Sequence, residues 1–109
     1  MREYKLYIDD IVEAVERIEK YSKGLTLEKF KKDSLRVDGI VRNLEIIGEA
    51  VKKISASVKG GYPEVEWKKI AGLRDILAHE YFGVDLEVVW DIIQNKLPLF
   101  KRQMTKILK

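Results

Sequence analysis

Hydrophobic residues recur every three or four positions along most of the chain, which is the spacing of amphipathic helices. The first stripe predicts a helix over residues ~3–22, ended by Gly24 as a left-handed cap. A short turn of helix is expected near ~27–32, and a long helix over ~34–57. Thr26 and Asp33 are both suited to cap a helix at its N-terminus. The first half of the chain is therefore predicted to be helical.

The second half continues the helical pattern after the clearest break in the sequence, at residues 59–63 (KGGYP). Its last residue, Pro63, suits the first turn of a helix over ~63–80. Residues 82–84 should end that helix, and Asp85 should cap a last helix over ~86–108. Pro98 lies inside the last helix, lacks a backbone donor and is expected to kink it.

No alternating strand pattern competes with these helices. The predicted fold class is all-α, an up-and-down bundle of four main helices plus a short extra helix, in a single domain over residues 1–109. Nothing in the sequence resembles an internal repeat or a linker between domains. The positions expected to form the core are Tyr4, Ile8, Ile11, Val15, Ile18, Val37, Val41, Leu44, Ile47, Val51, Ile54, Ile70, Leu73, Leu77, Leu86, Val89, Trp90, Ile93, Leu97, Phe100 and Met104.

Composition removes several classes of chemistry. The 109 residues contain no cysteine and one histidine. A disulfide scaffold, a zinc-thiolate site, a cysteine nucleophile and a multi-histidine metal site within one chain are therefore excluded. We expect no metal and no cofactor. No apolar run reaches the ~18 residues that a membrane span needs, and the N-terminal segment lacks a signal-peptide core, so a cytoplasmic protein without membrane contact is expected.

Charge is informative through its distribution. Lys and Arg number 21 against 18 Asp and Glu, and the net charge of +3 is too small to indicate a nucleic-acid partner. Residues 92–109, however, carry five cations and no acid. Lys101 and Arg102 in this segment are candidate contacts to the backbone phosphates of a nucleic acid. The alternative is a solvated helix face whose cations suit the helix C-terminus.

Candidate chemistry is concentrated in residues 74–81 (RDILAHEY), where the single histidine lies between an arginine and a tyrosine. Arg74 and Tyr81 are seven residues apart and share one helix face, whereas His79 is about 140° from Arg74 on an ideal helix. Asp75 precedes His79 by four residues, so its carboxylate can orient the imidazole and favour its charged form. Spacing alone leaves open a structural role for each of these residues.

The segment resembles the Arg-x4-His-x-Tyr signature of the HEPN superfamily, in its HepT-like branch. The resemblance covers nearly the whole chain in order, through a long-helix motif at Val41–Ala50, a run from Trp67 to Arg74, the segment Tyr81–Asp85, and Val89-Trp90 with Leu97-Pro98. Asparagine is more usual than Asp75 after the arginine, which makes the local electrostatics differ from the family pattern.

The resemblance implies a homodimer with the motif at the subunit interface. It also implies a metal-independent endoribonuclease toxin of a toxin–antitoxin pair, which is silenced when a minimal nucleotidyltransferase antitoxin transfers AMP to Tyr81. Arg74 and His79 are then the catalytic residues, with Asp75 and Tyr81 in support. A symmetric dimer supplies two histidines and two arginines, and the expected RNA product ends in a 2′,3′-cyclic phosphate.

Alternatives remain for the long helix and for the activity. Arg42, Asn43 and Glu45 are possible cleft or RNA contacts, although an ion pair between Arg42 and Glu45 is the favoured interpretation. The alternative function is a non-catalytic helical binding subunit of a nucleotidyltransferase complex. A generic dimerisation module is the third possibility.

Overall fold

The computed structural model describes residues 3–79 and 85–109, with the helix but not the side chains described for residues 74–79. Within these ranges the regular structure is entirely helical, as predicted. The helices are α1 (Tyr4–Ser22), α2 (Leu27–Lys32), α3 (Ser34–Lys53), α4 (Ala56–Gly60), α5 (Trp67–His79), α6 (Leu86–Asp91), a π-helical segment (Ile92–Lys96) and α7 (Leu97–Leu108).

The first two helices confirm the prediction, including their ends. Gly24 adopts a φ of +78°, the left-handed conformation that lets the chain turn after α1. The Thr26 hydroxyl accepts a hydrogen bond from the Lys29 backbone at 3.2 Å and caps α2. The Asp33 carboxylate caps α3 by accepting from the Arg36 backbone at 3.1 Å. Short polar side chains at these positions thus begin each helix.

The long helix ends earlier than expected. The prediction of a helix to residue ~57 was wrong, because α3 stops at Lys53 and Ile54 is extended, with φ −77° and ψ 133°. The Ser55 hydroxyl then accepts a hydrogen bond from the Val58 backbone at 3.2 Å and begins α4. A serine side chain offers the backbone an alternative to the helical ladder, and here that alternative divides the helix.

The next helix starts four residues later than predicted, at Trp67 instead of Pro63. The Tyr62 carbonyl accepts from the Val65 backbone at 3.2 Å and from the Trp67 indole nitrogen at 3.0 Å. These bonds hold residues 62–65 as a turn, so Pro63 belongs to that turn and not to α5. The break predicted at residues 82–84 lies outside the described residues.

The predicted last helix is present but interrupted. The Asp85 carboxylate caps α6 as expected, accepting from the Glu87 backbone at 2.9 Å. The distortion expected from Pro98 is observed as the π-helical segment, which immediately precedes α7. Pro98 itself lies in the first turn of α7. Proline cannot donate to the carbonyl of Gln94 four residues earlier, and the wider π turn absorbs this lost bond.

One hydrophobic core runs through the bundle. Helix α1 packs against α3 and α7, and α3 packs against α5. Most predicted core positions are buried, whereas Tyr4, Val37, Val41, Leu86 and Trp90 are only partly buried, and the Leu77 side chain lies outside the described part. Sequence periodicity missed several buried residues on the edges of the stripes: Ala14, Phe30, Ile40, Ala50, Val65, Trp67 and Ile107.

The helix directions follow from two contacts. A Cβ added at Gly39 would lie 3.3 Å from the Tyr21 ring, which places the start of α3 beside the end of α1. The Lys101 ammonium lies 2.8 Å from the Glu19 carboxylate, which places the first half of α7 beside the same end of α1. Helices α3 and α7 therefore both run antiparallel to α1, as an up-and-down bundle requires.

Candidate functional site

Helix α5 carries three of the predicted site residues on its last two turns. Arg74, Asp75 and His79 all belong to the helix Trp67–His79, and Tyr81 lies outside the described residues. His79 is five residue steps along the helix from Arg74, which corresponds to about 7.5 Å along the axis and about 140° around it. The backbone thus confirms the helical spacing on which the sequence prediction rested.

Buried apolar contacts hold α5 in place ahead of these residues. Trp67, Ile70 and Leu73 lie in the core, and the indole hydrogen bond to Tyr62 fixes where the helix begins. A Cβ added at Gly72 would meet no atom within 4 Å. Helix α5 therefore has a buried inner face, and Gly72 faces open space.

The long helix shows the ion pair that the sequence favoured. The Arg42 guanidinium lies 3.5 Å from the Glu45 carboxylate, one turn further along α3. Both side chains are partly exposed, so the pair contributes only about 0.3–0.5 kcal/mol to stability. A contribution this small would not hinder either side chain from turning to another partner.

Asn43 has a different environment from its neighbours on α3. Its side chain is 5% exposed, and its Nδ2 donates to the Gly39 carbonyl at 2.8 Å. The Arg17 Nε donates to the Asn43 Oδ1 at 2.7 Å, which links α1 to α3. Sequence analysis missed Arg17, because nothing in the spacing along α1 shows which residue of α3 lies opposite. The amide of Asn43 is thus committed to contacts within this chain.

Removing the Asn43 amide should destabilise the bundle. We expect Asn43→Ala to lower the free energy of unfolding by about 1–3 kcal/mol, because Arg17 loses a partly buried acceptor. Urea denaturation followed by circular dichroism measures the change. Arg42→Ala, one residue earlier on the same helix, is the matched control and should lose no more than about 0.5 kcal/mol. Equal losses in both variants would contradict a structural role for the buried amide.

Lys101 and Arg102, the two cations on α7 predicted to contact phosphates, differ in how free their side chains are. The Lys101 ammonium bonds the Glu19 carboxylate at 2.8 Å, and this hydrogen bond raises the pKa of Lys101. Arg102 is exposed and forms no ion pair with the described part of the chain. Arg102 is therefore the more accessible cation for a phosphate.

The described ranges contain no cluster of three or more histidine or acidic side chains that could hold a metal ion. None of the helices in those ranges is both long and apolar enough to cross a membrane.

The chain has close sequence relatives. The profile of the family Ribonuclease HepT-like matches residues 11–107. A protein of Thermococcus cleftensis named a probable ribonuclease HepT is 40% identical over 108 residues, covering 99% of this chain and 98% of the relative. A presumptive RNase of Caldanaerobacter subterraneus subsp. tengcongensis is 38% identical, covering 100% of this chain and 97% of the relative.

Another relative is a longer protein. A Methanocaldococcus jannaschii protein, named a gamma-glutamylcyclotransferase and presumptive RNase, is 36% identical over 108 residues. This chain spans 99% of its own length in that match but about half, 49%, of the relative. No solved structure matches the chain.

The structure defines a class of all-α protein. Its features are a helical bundle and a short polar motif, formed by Arg74 and His79, near the end of α5. With the profile match over residues 11–107, this chain belongs to the HepT-like ribonuclease family.

Proposed function

We propose that this protein is a metal-independent endoribonuclease toxin of a toxin–antitoxin pair, and that it acts as a homodimer of single-domain chains. The observation that carries the proposal is the family match across residues 11–107, which includes Arg74 and His79 on one helix. Relatives of nearly the same length carry ribonuclease names, which supports RNA as the substrate.

The proposed reaction requires a base, an acid and a cation. The base removes the proton of a ribose 2′-hydroxyl, whose oxygen attacks the adjacent phosphorus. The bond from phosphorus to the 5′-oxygen breaks, the acid protonates that oxygen, and a 2′,3′-cyclic phosphate remains. Histidine can serve as either group because its pKa lies near neutrality. Arg74 would stabilise the charge on the phosphorus centre.

Each chain has one histidine, whereas the reaction needs both a base and an acid. We therefore propose that two copies of the chain form the site. The 140° between Arg74 and His79 on α5 also disfavours one helix presenting both groups to one phosphate. A two-fold interface brings equivalent surfaces together, so each site could take His79 and Arg74 from different chains. Asp75, four residues before His79, would orient the imidazole.

The predicted RNA-contact residues on α3 and α7 differ in whether their side chains are free to bind a phosphate. Arg42 and Arg102 are exposed and could contact RNA phosphates. Asn43 and Lys101 already have partners within the chain, and Glu45 would act through its pairing with Arg42. The proposal therefore assigns the direct phosphate contacts first to Arg42 and Arg102.

The direct test is cleavage of RNA by the purified, unmodified protein in the presence of EDTA, with the 3′ ends mapped. Fragments ending in 2′,3′-cyclic phosphate are the expected result. A homogeneous, unmodified dimer that leaves a mixed RNA pool intact would contradict the proposal. It would favour the alternative of a non-catalytic binding subunit of a nucleotidyltransferase complex.

Control of the activity would act at Tyr81. In the proposed step the Tyr81 hydroxyl oxygen attacks the α-phosphorus of ATP, loses its proton and displaces pyrophosphate, with the partner nucleotidyltransferase as catalyst. Tyr81 follows Arg74 by seven residues in the sequence. We expect the negative charge of the phosphate added to Tyr81 to compete with RNA for the site.

Modification of Tyr81 is expected to reduce RNA cleavage by tenfold or more, because the adenylyl group adds both charge and bulk beside the site. Incubation with the cognate transferase and ATP, followed by mass spectrometry and a cleavage assay, measures both effects. Tyr81→Phe should remain unmodified, and its cleavage rate should be the same with and without the transferase and ATP. An active protein carrying stoichiometric AMP on Tyr81 would show that this modification is not inhibitory.

A further inference from the structure

A groove runs between α5 and the last helical stretch, on the side of α5 that faces α7. Its volume is about 290 Å³, and its floor is formed by apolar side chains that include Ile70, Leu73 and Phe100. Leu99 lies at its edge and is 51% exposed. Apolar surface is thus accessible in a concave site, the usual form of a small binding pocket.

The π-helical segment builds one wall of this groove. Ile92, Asn95 and Lys96 all belong to that segment and line the groove. The Asn95 Nδ2 donates to the Asp91 carboxylate at 2.6 Å, which leaves its amide oxygen as an acceptor. Single π turns are frequent at functional sites because they reposition side chains that a regular helix would direct elsewhere.

The charged groups lining the groove largely cancel. The Lys69 ammonium lies 2.7 Å from the Glu66 carboxylate, and this hydrogen bond lowers the pKa of Glu66. Lys96 lowers the same pKa through its charge, so it also lies near Glu66. With Glu64, the lining has two acids and two cations. A neutral, partly apolar groove suits an uncharged planar group better than a phosphate.

Cations lie just outside the groove. Arg102 and Lys106 follow Leu99 by three and seven residues, so they continue the same side of α7. Both are exposed, and neither forms an ion pair with the described part of the chain. No acid occurs in residues 92–109, so the charges that α7 itself contributes on this side favour phosphates.

We infer that the groove between α5 and α7 binds a base of single-stranded RNA against Leu99, while Arg102 and Lys106 bind the phosphates beside it. The inference rests on the proposed function for the identity of the polymer. Leu73 directly precedes Arg74 on α5, and it is about 9 Å along the axis from His79. The groove would therefore hold a nucleotide flanking the cleaved phosphate.

The experiment measures binding separately from cleavage. The full-length protein is titrated into a fluorescent 2′-O-methyl RNA, which lacks the attacking hydroxyl, and anisotropy gives the Kd. Arg102→Glu combined with Lys106→Glu should raise the Kd by about tenfold or more and reduce the salt slope by about 1.4. Leu99→Asp should raise the Kd by about fivefold, because a charged group replaces the apolar contact to the base.

A second probe separates the base from the phosphates. Leu99→Asp should lose less affinity for an oligomer with the same number of phosphates but no bases than it loses for RNA, because only the repulsion between the new carboxylate and the phosphates then remains. The double charge variant should still lose affinity for this oligomer. If Leu99→Asp weakens binding of both probes to the same extent, the groove does not recognise a base and the inference is overturned.

Matched controls come from exposed residues on other helices. Leu35→Asp alters a leucine on α3 that is 82% exposed, and Lys20→Glu reverses an exposed charge on α1. Both should stay within about twofold of the unchanged protein, since each lies outside the groove. Equal losses in the controls would overturn the inference, as would groove variants that bind RNA normally.

The two proposals fail in different ways. Cleavage by the unchanged protein, together with normal RNA binding by the groove variants, would overturn only the groove inference. Loss of binding in the groove variants, without any cleavage by the unchanged protein, would support the groove and contradict the ribonuclease proposal.

Discussion

Replacement of His79 by alanine is expected to reduce RNA cleavage by about 10²–10⁴-fold, the range associated with loss of general acid–base catalysis. The chain contains one histidine, so the variant removes every imidazole from a homodimer. No other side chain in the protein has an unperturbed pKa near neutrality. Cleavage of a labelled RNA in EDTA, under single-turnover conditions, measures the rate.

The pH dependence adds a second readout to the same experiment. If one imidazole acts as base and the other as acid, cleavage requires one neutral and one protonated histidine. The rate should then rise and fall with pH through a single maximum. His79→Ala should lose this bell shape along with the rate.

The control for His79→Ala is Lys68→Ala, an exposed position on the same helix that is outside the proposed motif. It should cleave within about threefold of the unchanged protein, since a surface substitution alters stability by only about 0.5 kcal/mol. His79→Ala that cleaves at the unchanged rate would show that the imidazole takes no part. RNA binding by His79→Ala, measured with the 2′-O-methyl probe, distinguishes lost chemistry from lost affinity.

The parts of the fold that the sequence predicted depend on local rules. Thr26, Asp33 and Asp85 begin helices because a short polar side chain can accept the first free backbone N–H groups. The predicted stripes on α1 and α7 are buried because helical periodicity determines which residues share a face. Both rules depend only on residues that are close together in the sequence, so they can be applied to a single sequence without its structure.

The errors in the fold arose at helix ends, where one local signal contradicts another. Hydrophobic spacing continues through Ile54, but Ser55 starts a new helix and ends the previous one. Pro63 favours the first turn of a helix, but Trp67 bonds back to Tyr62 and holds the intervening residues as a turn. In each case a capping or turn hydrogen bond outweighed the signal that the sequence pattern offered.

The candidate site, like the fold, was predicted only in part. Sequence spacing placed Arg74 and His79 on one helix, which the structure confirms. It could not pair Arg17 with Asn43, because that contact depends on how α1 and α3 align. Nor could it predict the groove beside Leu99, because the π-helical wall follows from how Pro98 is accommodated. Alignment between helices and local helix distortions are both properties of the assembled core.

Phe30→Ala is expected to lower the free energy of unfolding by about 3–5 kcal/mol, the usual loss for a buried phenylalanine. Phe30 is fully buried and is the one core residue of α2 in the described structure. Its ring centroid lies 5.2 Å from that of Trp90 on α6. A helix of six residues is not stable alone, so α2 depends on this anchor.

Thermal unfolding measures the effect, which should lower the Tm by roughly 15–30 °C for a chain of this size. The matched control is Lys31→Ala, which removes the exposed 2.8 Å ion pair to Glu87 between the same two helices. It should change the free energy of unfolding by no more than about 1 kcal/mol. If the ion-pair variant lost as much stability as Phe30→Ala, the aromatic contact would not be what joins α2 to α6.

Because α6 begins just after the segment that contains Tyr81, Phe30→Ala should also lower cleavage at temperatures where the bundle remains folded.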